Sequence, residues 1–254
     1  MRFATYPSLV DRVVFISGGG SGIGADMVRA FHGQGALVAF VDVQQEESEA
    51  LVEQLGATGR RPLFQRCDVT RFEDLRVCIA KVRDVLGPVG VLVNNAANDQ
   101  RHTIDEVTPE FWARTIDVNL THHFFAAQAV YPHMRDLGGG AIINLSSTAW
   151  RFGAGEIPVY GAAKAGVVGL TKALARAFGP YRIRVNSIEP GAVMTERQRR
   201  LWYTTQESVD AVARRQVLNE VLLGDEVARM ALFLAADDSR MITKQSFTVD
   251  AGIR

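Results

Sequence analysis

The sequence predicts an α/β chain with one seven-stranded parallel sheet and helices on both faces. Three observations predict it. Short runs rich in Val and Ile alternate with longer amphipathic segments along the whole chain. These runs mostly lack polar alternation, as strands buried on both faces should. Gly and Pro punctuate the joins, as at Gly87-Pro88, Gly138–Gly140 and Gly179-Pro180. Strands are expected at Arg12–Ile16, Leu37–Asp42, Leu63–Cys67, Val91–Asn94, Ala141–Leu145, Ile183–Ile188 and Phe247–Val249. Helices are expected at Gly22–Gln34, Gln44–Leu55, Phe72–Leu86, Pro109–Arg135, Val159–Phe178, Gln206–Leu218 and Asp225–Leu234. Right-handed strand–helix–strand crossovers then build a sheet covered on both sides. Residues 194–218 are polar and aromatic and break the alternation, so they read as a lid or a plain excursion.

Composition limits the function classes. At 254 residues, with 47% hydrophobic and 22% charged, the chain suits one folded domain over 1–254. Lys+Arg and Asp+Glu are both 28, so no net field attracts nucleic acid or an anionic membrane. No apolar run reaches the roughly 18 residues of a membrane helix. Asp11 and Arg12 interrupt any signal-like start, and Cys67 and Cys78 read as reduced core thiols. The expectation is a cytoplasmic protein with a small-molecule substrate.

The first strand runs into Ser17-Gly18-Gly19-Gly20-Ser21-Gly22-Ile23-Gly24, with a helix behind it. Glycines let the backbone approach a pyrophosphate, and the helix N-terminus supplies free N–H groups and a positive dipole end. The second strand ends at Asp42, 18 residues after Gly24. A dinucleotide-binding Rossmann fold puts a carboxylate there for the ribose hydroxyls. Asp42 also suits capping the next helix. It would repel a 2′-phosphate, and no Arg or Lys lies between Val41 and Leu55 to neutralise one, so NAD is expected over NADP.

Tyr160 and Lys164 are four apart and share a helix face. A phenol titrates near pH 10, and an adjacent ammonium is expected to lower that value and make a proton acceptor. Tyr-x-x-x-Lys alone is common, but the order of motifs is specific. Gly18-x-x-x-Gly22-x-Gly24, Asn94-Asn95-Ala96-Ala97, Asn119, Ser147 placed 13 residues before Tyr160, and Pro190-Gly191 with Thr195 follow one another. Over essentially its whole length the chain resembles the short-chain dehydrogenase/reductase family.

The resemblance implies that Tyr160 is general acid/base, Ser147 orients the reacting oxygen, Lys164 lowers the tyrosine pKa and holds a ribose, and Asn119 supports a proton relay. It implies that Gly18, Ser21, Gly22, Ile23, Gly24, Asp42, Asp68, Val69, Asn95 and Ala96 bind the cofactor. Tyr160, Lys164, Ile188, Pro190, Gly191, Val193 and Thr195 complete that set. Two departures from the family pattern are Ser17 for Thr, which keeps a hydroxyl, and Ala97 for Gly, which costs about 1 kcal/mol only if φ is positive there.

Asn98, Asp99, Trp150, Glu156, Gln198, Trp202 and Tyr203 fall around these groups. Their amides, carboxylates and aromatic faces suit a ring bearing several hydroxyls, with Asn98, Asp99, Ser147, Trp150, Tyr160, Gln198, Trp202 and Tyr203 as substrate residues. Asn98-Asp99, Tyr6-Pro7-Ser8-Leu9 and Gln198 ahead of Trp202-Tyr203 are similar to bacterial aldose 1-dehydrogenases, those acting on D-xylose foremost. Oxidation of an aldose to an aldonolactone is therefore expected. The alternatives are a polyol dehydrogenase, a ketone or 3-oxoacyl reductase, and a dinucleotide-binding protein without catalysis.

The resemblance also implies a homotetramer built on the two long helices. His102, His122, His123 and His133 lack zinc-helix spacing and are expected in surface or packing roles, with His102 near the site mouth, and no metal is expected. Arg197, Arg199 and Arg200 read as a solvated loop.

Overall fold

The computed structural model describes residues 4–253. Seven strands, all parallel, form one sheet in the order β3-β2-β1-β4-β5-β6-β7. They are β1 (Val13–Ser17), β2 (Leu37–Asp42), β3 (Leu63–Arg66), β4 (Val91–Asn94), β5 (Gly140–Leu145), β6 (Ile183–Pro190) and β7 (Ser246–Val249). The helices are α1 (Gly22–Gly33), α2 (Gln45–Gly56), α3 (Phe72–Leu86), α4 (Pro109–Ile116), α5 (His122–Asp136), α6 (Ala149–Phe152), α7 (Pro158–Phe178), α8 (Glu196–Leu201), α9 (Gln206–Arg214) and α10 (Gly224–Ala235). Every expected strand is present, within two residues at each end.

The central strands are mostly apolar, yet the two-residue period still sorts them. Val14 and Ile16 of β1, with Val38 and Phe40 of β2, face a core shared with α1, α2 and α10. Val13, Phe15, Ala39 and Val41 face the other core, shared with α3, α5 and α7. Phe15 and Phe40 are fully buried. Such burial contributes about 1.5–3 kcal/mol per side chain. Because β1 lies between β2 and β4, the connections diverge there and open a crevice at the strands' carboxyl ends.

Two helical expectations need correction. The segment 109–135 is not one helix: Asp117–Thr121 forms a π-helical turn between α4 and α5. The side chain of Asn119 causes the break. Its Nδ2 donates to Thr115 O (2.9 Å) and Asn98 O (3.0 Å), and its Oδ1 accepts from Asn98 N (3.0 Å), drawing the turn toward the loop after β4. The helix expected over 206–218 stops at Arg214, because Gln216, Val217 and Leu218 pair with the chain near 251–253. Two short helices, α6 and α8, carry too few residues to show periodicity.

The histidines take packing roles rather than surface ones. His122 and His123 are fully buried, and His133 accepts from Val89 N (3.3 Å). Among the described residues no cluster of His, Cys, Asp and Glu could hold a metal. Cys67 and Cys78 are buried free thiols. No described helix is long and apolar enough to cross a membrane.

Burial holds the His122 pKa down to about 3, so the ring is neutral in the fold. An unfolded chain takes up a proton there below about pH 6.5. Stability should therefore fall as pH drops from 6.5 toward 3. Urea unfolding between pH 7 and pH 4 should show a slope shallower by up to one proton, about 1.4 kcal/mol per pH unit, in His122→Gln. A slope equal to wild type would show that His122 stays charged in the native protein.

Candidate active site

The crevice begins where β1 ends. Ser17 Oγ accepts from Asn95 N (3.0 Å) and Ala96 N (3.1 Å), joining β1 to β4. Asn95 Nδ2 donates to the carbonyls of Ser17 (3.1 Å) and Gly18 (2.8 Å). Gly18 turns with φ +68°, and a Cβ on it would lie 2.7 Å from Ala96 Cα. Gly24 packs so closely that a Cβ would fall 1.8 Å from Gly18 O. Ser21, at the head of α1, caps no backbone N–H, and its Oγ accepts from Gln44 Nε2 (2.8 Å). The first turn of α1 therefore offers its donors and dipole to an anion.

Asp42 closes one side of this cradle, with Oδ2 accepting from Gly20 N (2.8 Å) and Oδ1 from Gln44 N (3.0 Å). One carboxylate thus spans the glycine loop and the approach to α2. Asp68, after β3, accepts from Thr70 N (3.0 Å) and Oγ1 (2.8 Å), and Val69 beside it is buried. Thr195 stands opposite, its Cγ2 3.2 Å from where a Gly22 Cβ would sit. Its Oγ1 accepts from Gln198 N (3.3 Å) and starts α8. Pro190, Gly191 and Val193 lead to it from β6, over Ile188. A backbone cradle, an open helix N-terminus and a strand-end carboxylate suit a dinucleotide.

Ser147 follows β5, and its Oγ accepts from Ala149 N (3.1 Å). Pro158 opens α7 at a position where a missing N–H does no harm, so Tyr160 lies in the first turn and Lys164 one turn on. The Ser147 hydroxyl lies near enough to the Tyr160 phenol to favour its ionised form. Lys164 Nζ donates to Leu145 O (2.8 Å) and lies 5.5 Å from the Tyr160 ring centroid. The Asn119 turn packs on α7. The strand ends thus bring Asn119, Ser147, Tyr160 and Lys164 together.

The electrostatics correct one expectation. Burial, reinforced by Asp99, raises the Tyr160 phenol above its ordinary value, while the Ser147 hydroxyl and Arg197 work the other way. Burial also pulls Lys164 down to about 7, so its ammonium is too costly to overrule the desolvation of the phenol.

The expected substrate residues divide into two groups. Asn98, Asp99 and Gln198 meet through Arg197, which pairs with Asp99 and with Asn98 Oδ1 (3.1 Å), while Gln198 Nε2 donates to Asp99. Trp202 lies under Arg101, 4.5 Å from its guanidinium carbon. Tyr203 is half-buried and tied by its backbone N to Gln198 O (2.9 Å). Trp150 stands apart: its indole donates to Glu189 Oε2 (3.0 Å) beneath Arg151. Glu156 is exposed, and its carbonyl accepts from His102 N (3.0 Å). His102 is buried against Phe111. Ala97 lies outside the left-handed region, so the missing glycine costs nothing.

Sequence reasoning missed Arg197, Arg101 and Glu189. The buried Glu189 accepts from Trp150, Arg151 and Ser246. An acid inside the apolar run of β6 was its one sequence signal.

A cleft of this form, with a dinucleotide cradle leading to a Ser–Tyr–Lys cluster, defines a dehydrogenase or reductase that uses a nicotinamide cofactor. A family profile described as enoyl-(acyl carrier protein) reductase matches residues 18–254. The chain belongs to the short-chain dehydrogenase/reductase family and is an oxidoreductase acting on CH–OH groups. It is 49% identical to a probable galactose dehydrogenase of Rhizobium meliloti, over 98% of this chain and 97% of that one. It is 44% identical to the D-xylose 1-dehydrogenase of Caulobacter vibrioides over the full length of both. The D-threitol dehydrogenase of Mycolicibacterium smegmatis is 34% identical over 95% of this chain and 92% of its own.

Gly24→Ala tests the cradle. Its Cβ would meet a carbonyl oxygen held by Asn95, so the loop must shift. Fluorescence titration with the dinucleotide should show affinity weakened about tenfold or more, at least ~1.4 kcal/mol. Unchanged affinity would show that the loop does not hold the ligand.

Proposed function

We propose that this protein oxidises a cyclic aldose at its anomeric hydroxyl, with NAD as hydride acceptor, giving NADH and an aldonolactone. D-xylose is the leading substrate, with L-arabinose and other aldoses behind it. The observation that carries this reading is the polar cluster Asn98–Asp99–Arg197–Gln198 at the mouth of the Ser147–Tyr160–Lys164 site. A 3-oxoacyl or steroid substrate would want an apolar wall there. The activities of the galactose and D-xylose dehydrogenases to which the chain is similar support the same reading.

The choice of NAD rests on Asp42, whose carboxylate at the end of β2 would repel a 2′-phosphate. Asp68, Val69, Asn95 and Ala96 would line the adenosine side, and Thr195 with Pro190, Gly191 and Val193 the nicotinamide side. A bound nicotinamide supplies the hydride-accepting chemistry.

Tyr160 Oη takes the proton of the reacting hydroxyl. Ser147 Oγ holds that oxygen in line. Lys164 Nζ, anchored on Leu145 O, holds the ribose. Asn119 orders the path by which protons reach Lys164. Because burial raises the phenol, oxidation should speed up with rising pH, as more Tyr160 becomes phenolate. Exposed Trp112 and Phe124, on α4 and α5, support the further proposal that the 109–135 segment and α7 form the helix interface between subunits of a homotetramer.

Two measurements test the reading. Tyr160→Phe should leave NAD affinity near wild type and slow turnover by about 10²–10⁴-fold. Retention of more than roughly a tenth of wild-type kcat would remove Tyr160 from the chemistry. Absorbance at 340 nm across pentoses, hexoses, polyols and secondary alcohols should rank an aldose first and find a lactone before open-chain acid. An acyclic polyol or simple alcohol oxidised faster than every aldose would refute the substrate while leaving the dehydrogenase in place.

A further inference from the structure

The loop after β4 and helix α8 are clasped together at successive points. Arg197 reaches from α8 to Asp99 and to Asn98 Oδ1 (3.1 Å). Gln198 Nε2 donates to Asp99 Oδ2. Arg101 lies over the Trp202 ring. Asn98 is itself tied at its backbone to Asn119, on the π-helical turn. The clasp is therefore continuous with the wall of the catalytic cluster.

Three properties of the clasp point to a ligand. Asp99 follows Asn98, whose backbone is bonded to Asn119 on the turn that packs against α7, and its charge acts on both Tyr160 and Lys164, so it lies near the reacting end of the cleft. A carboxylate has about four lone-pair positions, and here one on each oxygen is used. The side chain remains 24% exposed, so packing does not close off the free positions. The Trp202 indole N–H, under Arg101 on the same clasp, is buried with no partner. That donor is free to take an acceptor from a ligand or a water.

We propose that Asp99 is a specificity-determining residue, which Arg197 and Gln198 hold as positioning residues so that its carboxylate accepts a hydrogen bond from a non-reacting ring hydroxyl of the aldose. The inference rests on the aldose reading of the site. The clasp fixes two of the carboxylate's directions, so the remaining ones select a hydroxyl by position. A ligand lacking that hydroxyl leaves one acceptor position of the carboxylate unfilled, a loss that polar sites use to discriminate. Arg197 balances the carboxylate's charge, so Asp99 can serve the substrate without a second uncompensated charge beside the phenol.

The test couples substrate to variant. The best aldose and its monodeoxy analogues, each lacking one non-anomeric hydroxyl, are assayed with the wild-type protein, Asp99→Asn and Asp99→Ala. In wild type, removal of one particular hydroxyl should lower kcat/KM about ten- to a hundredfold, the worth of a charged hydrogen bond. In Asp99→Ala that penalty should nearly vanish, while penalties at the other positions persist. Asp99→Asn, which keeps the side chain's volume if the alanine variant does not fold, should retain only part of it. A general loss from a loosened loop would lower all analogues alike. Equal penalties in wild type and both variants, or no penalty at any position in wild type, would overturn the proposal and leave the aldose reading intact. A wild-type protein that oxidises no aldose would instead overturn that reading.

Discussion

The joint that the whole carboxyl edge depends on is the Ser17 hydroxyl between β1 and β4. It accepts two backbone N–H groups, from Asn95 and Ala96. That uses both lone pairs and leaves its own proton for His122 Nε2, 3.3 Å away. Burial makes His122 a neutral ring, and accepting the Ser17 proton at Nε2 leaves its own proton on Nδ1. Asn95 adds two bonds from its side-chain amide to the backbone of Ser17 and Gly18. The crevice at the topological switch is thus held open by side chains of the strands that form it, before any ligand contributes.

Behind that joint the interior is more polar than the composition suggests. Asn94 Nδ2 donates to Asn144 Oδ1 (2.9 Å), and Asn144 Nδ2 to Thr171 Oγ1 (2.9 Å), linking β4, β5 and α7. Lys164, fully buried, is anchored on Leu145 O, and Ser146 Oγ donates to Lys164 O (2.7 Å). A lysine so placed destabilises the fold in its charged form, which its pKa of about 7 expresses. The sheet tolerates this because the same groups bring the Ser147–Tyr160 pair to one end of the cleft. Asp99 and Arg197 then set opposite charges beside the phenol from two different elements. Rigid strand ends thus fix the reacting groups, while residues from the loop after β4 and from α8 shape what surrounds them.

Much of the fold was legible because parallel strands write themselves as short, mostly apolar runs rich in Val and Ile, and all seven could be read. The long helix over 109–135 could not be read as broken, since the break comes from Asn119 bonding to Asn98, a contact invisible to local periodicity. The helix expected to reach Leu218 fails for a similar reason: its last residues are claimed by a long-range pairing with the chain terminus. The glycine loop and Tyr160/Lys164 were legible because their spacing is tied to one local element each. The role of Arg197 was not, because a surface-looking arginine acquires its meaning only from Asp99, 98 positions earlier. Trp150 shows the converse. It lies near Ser147 in sequence, yet its indole turns to a buried acid on β6.

The claim that the Ser17 joint builds the dinucleotide site is tested most directly by calorimetric titration of NAD into Ser17→Ala and Ser17→Thr. Threonine keeps the hydroxyl, so its affinity should match wild type. Alanine leaves the Asn95 and Ala96 N–H groups and His122 without their common partner, and its affinity should fall about tenfold or more. Alanine and threonine variants binding NAD equally well would contradict the account.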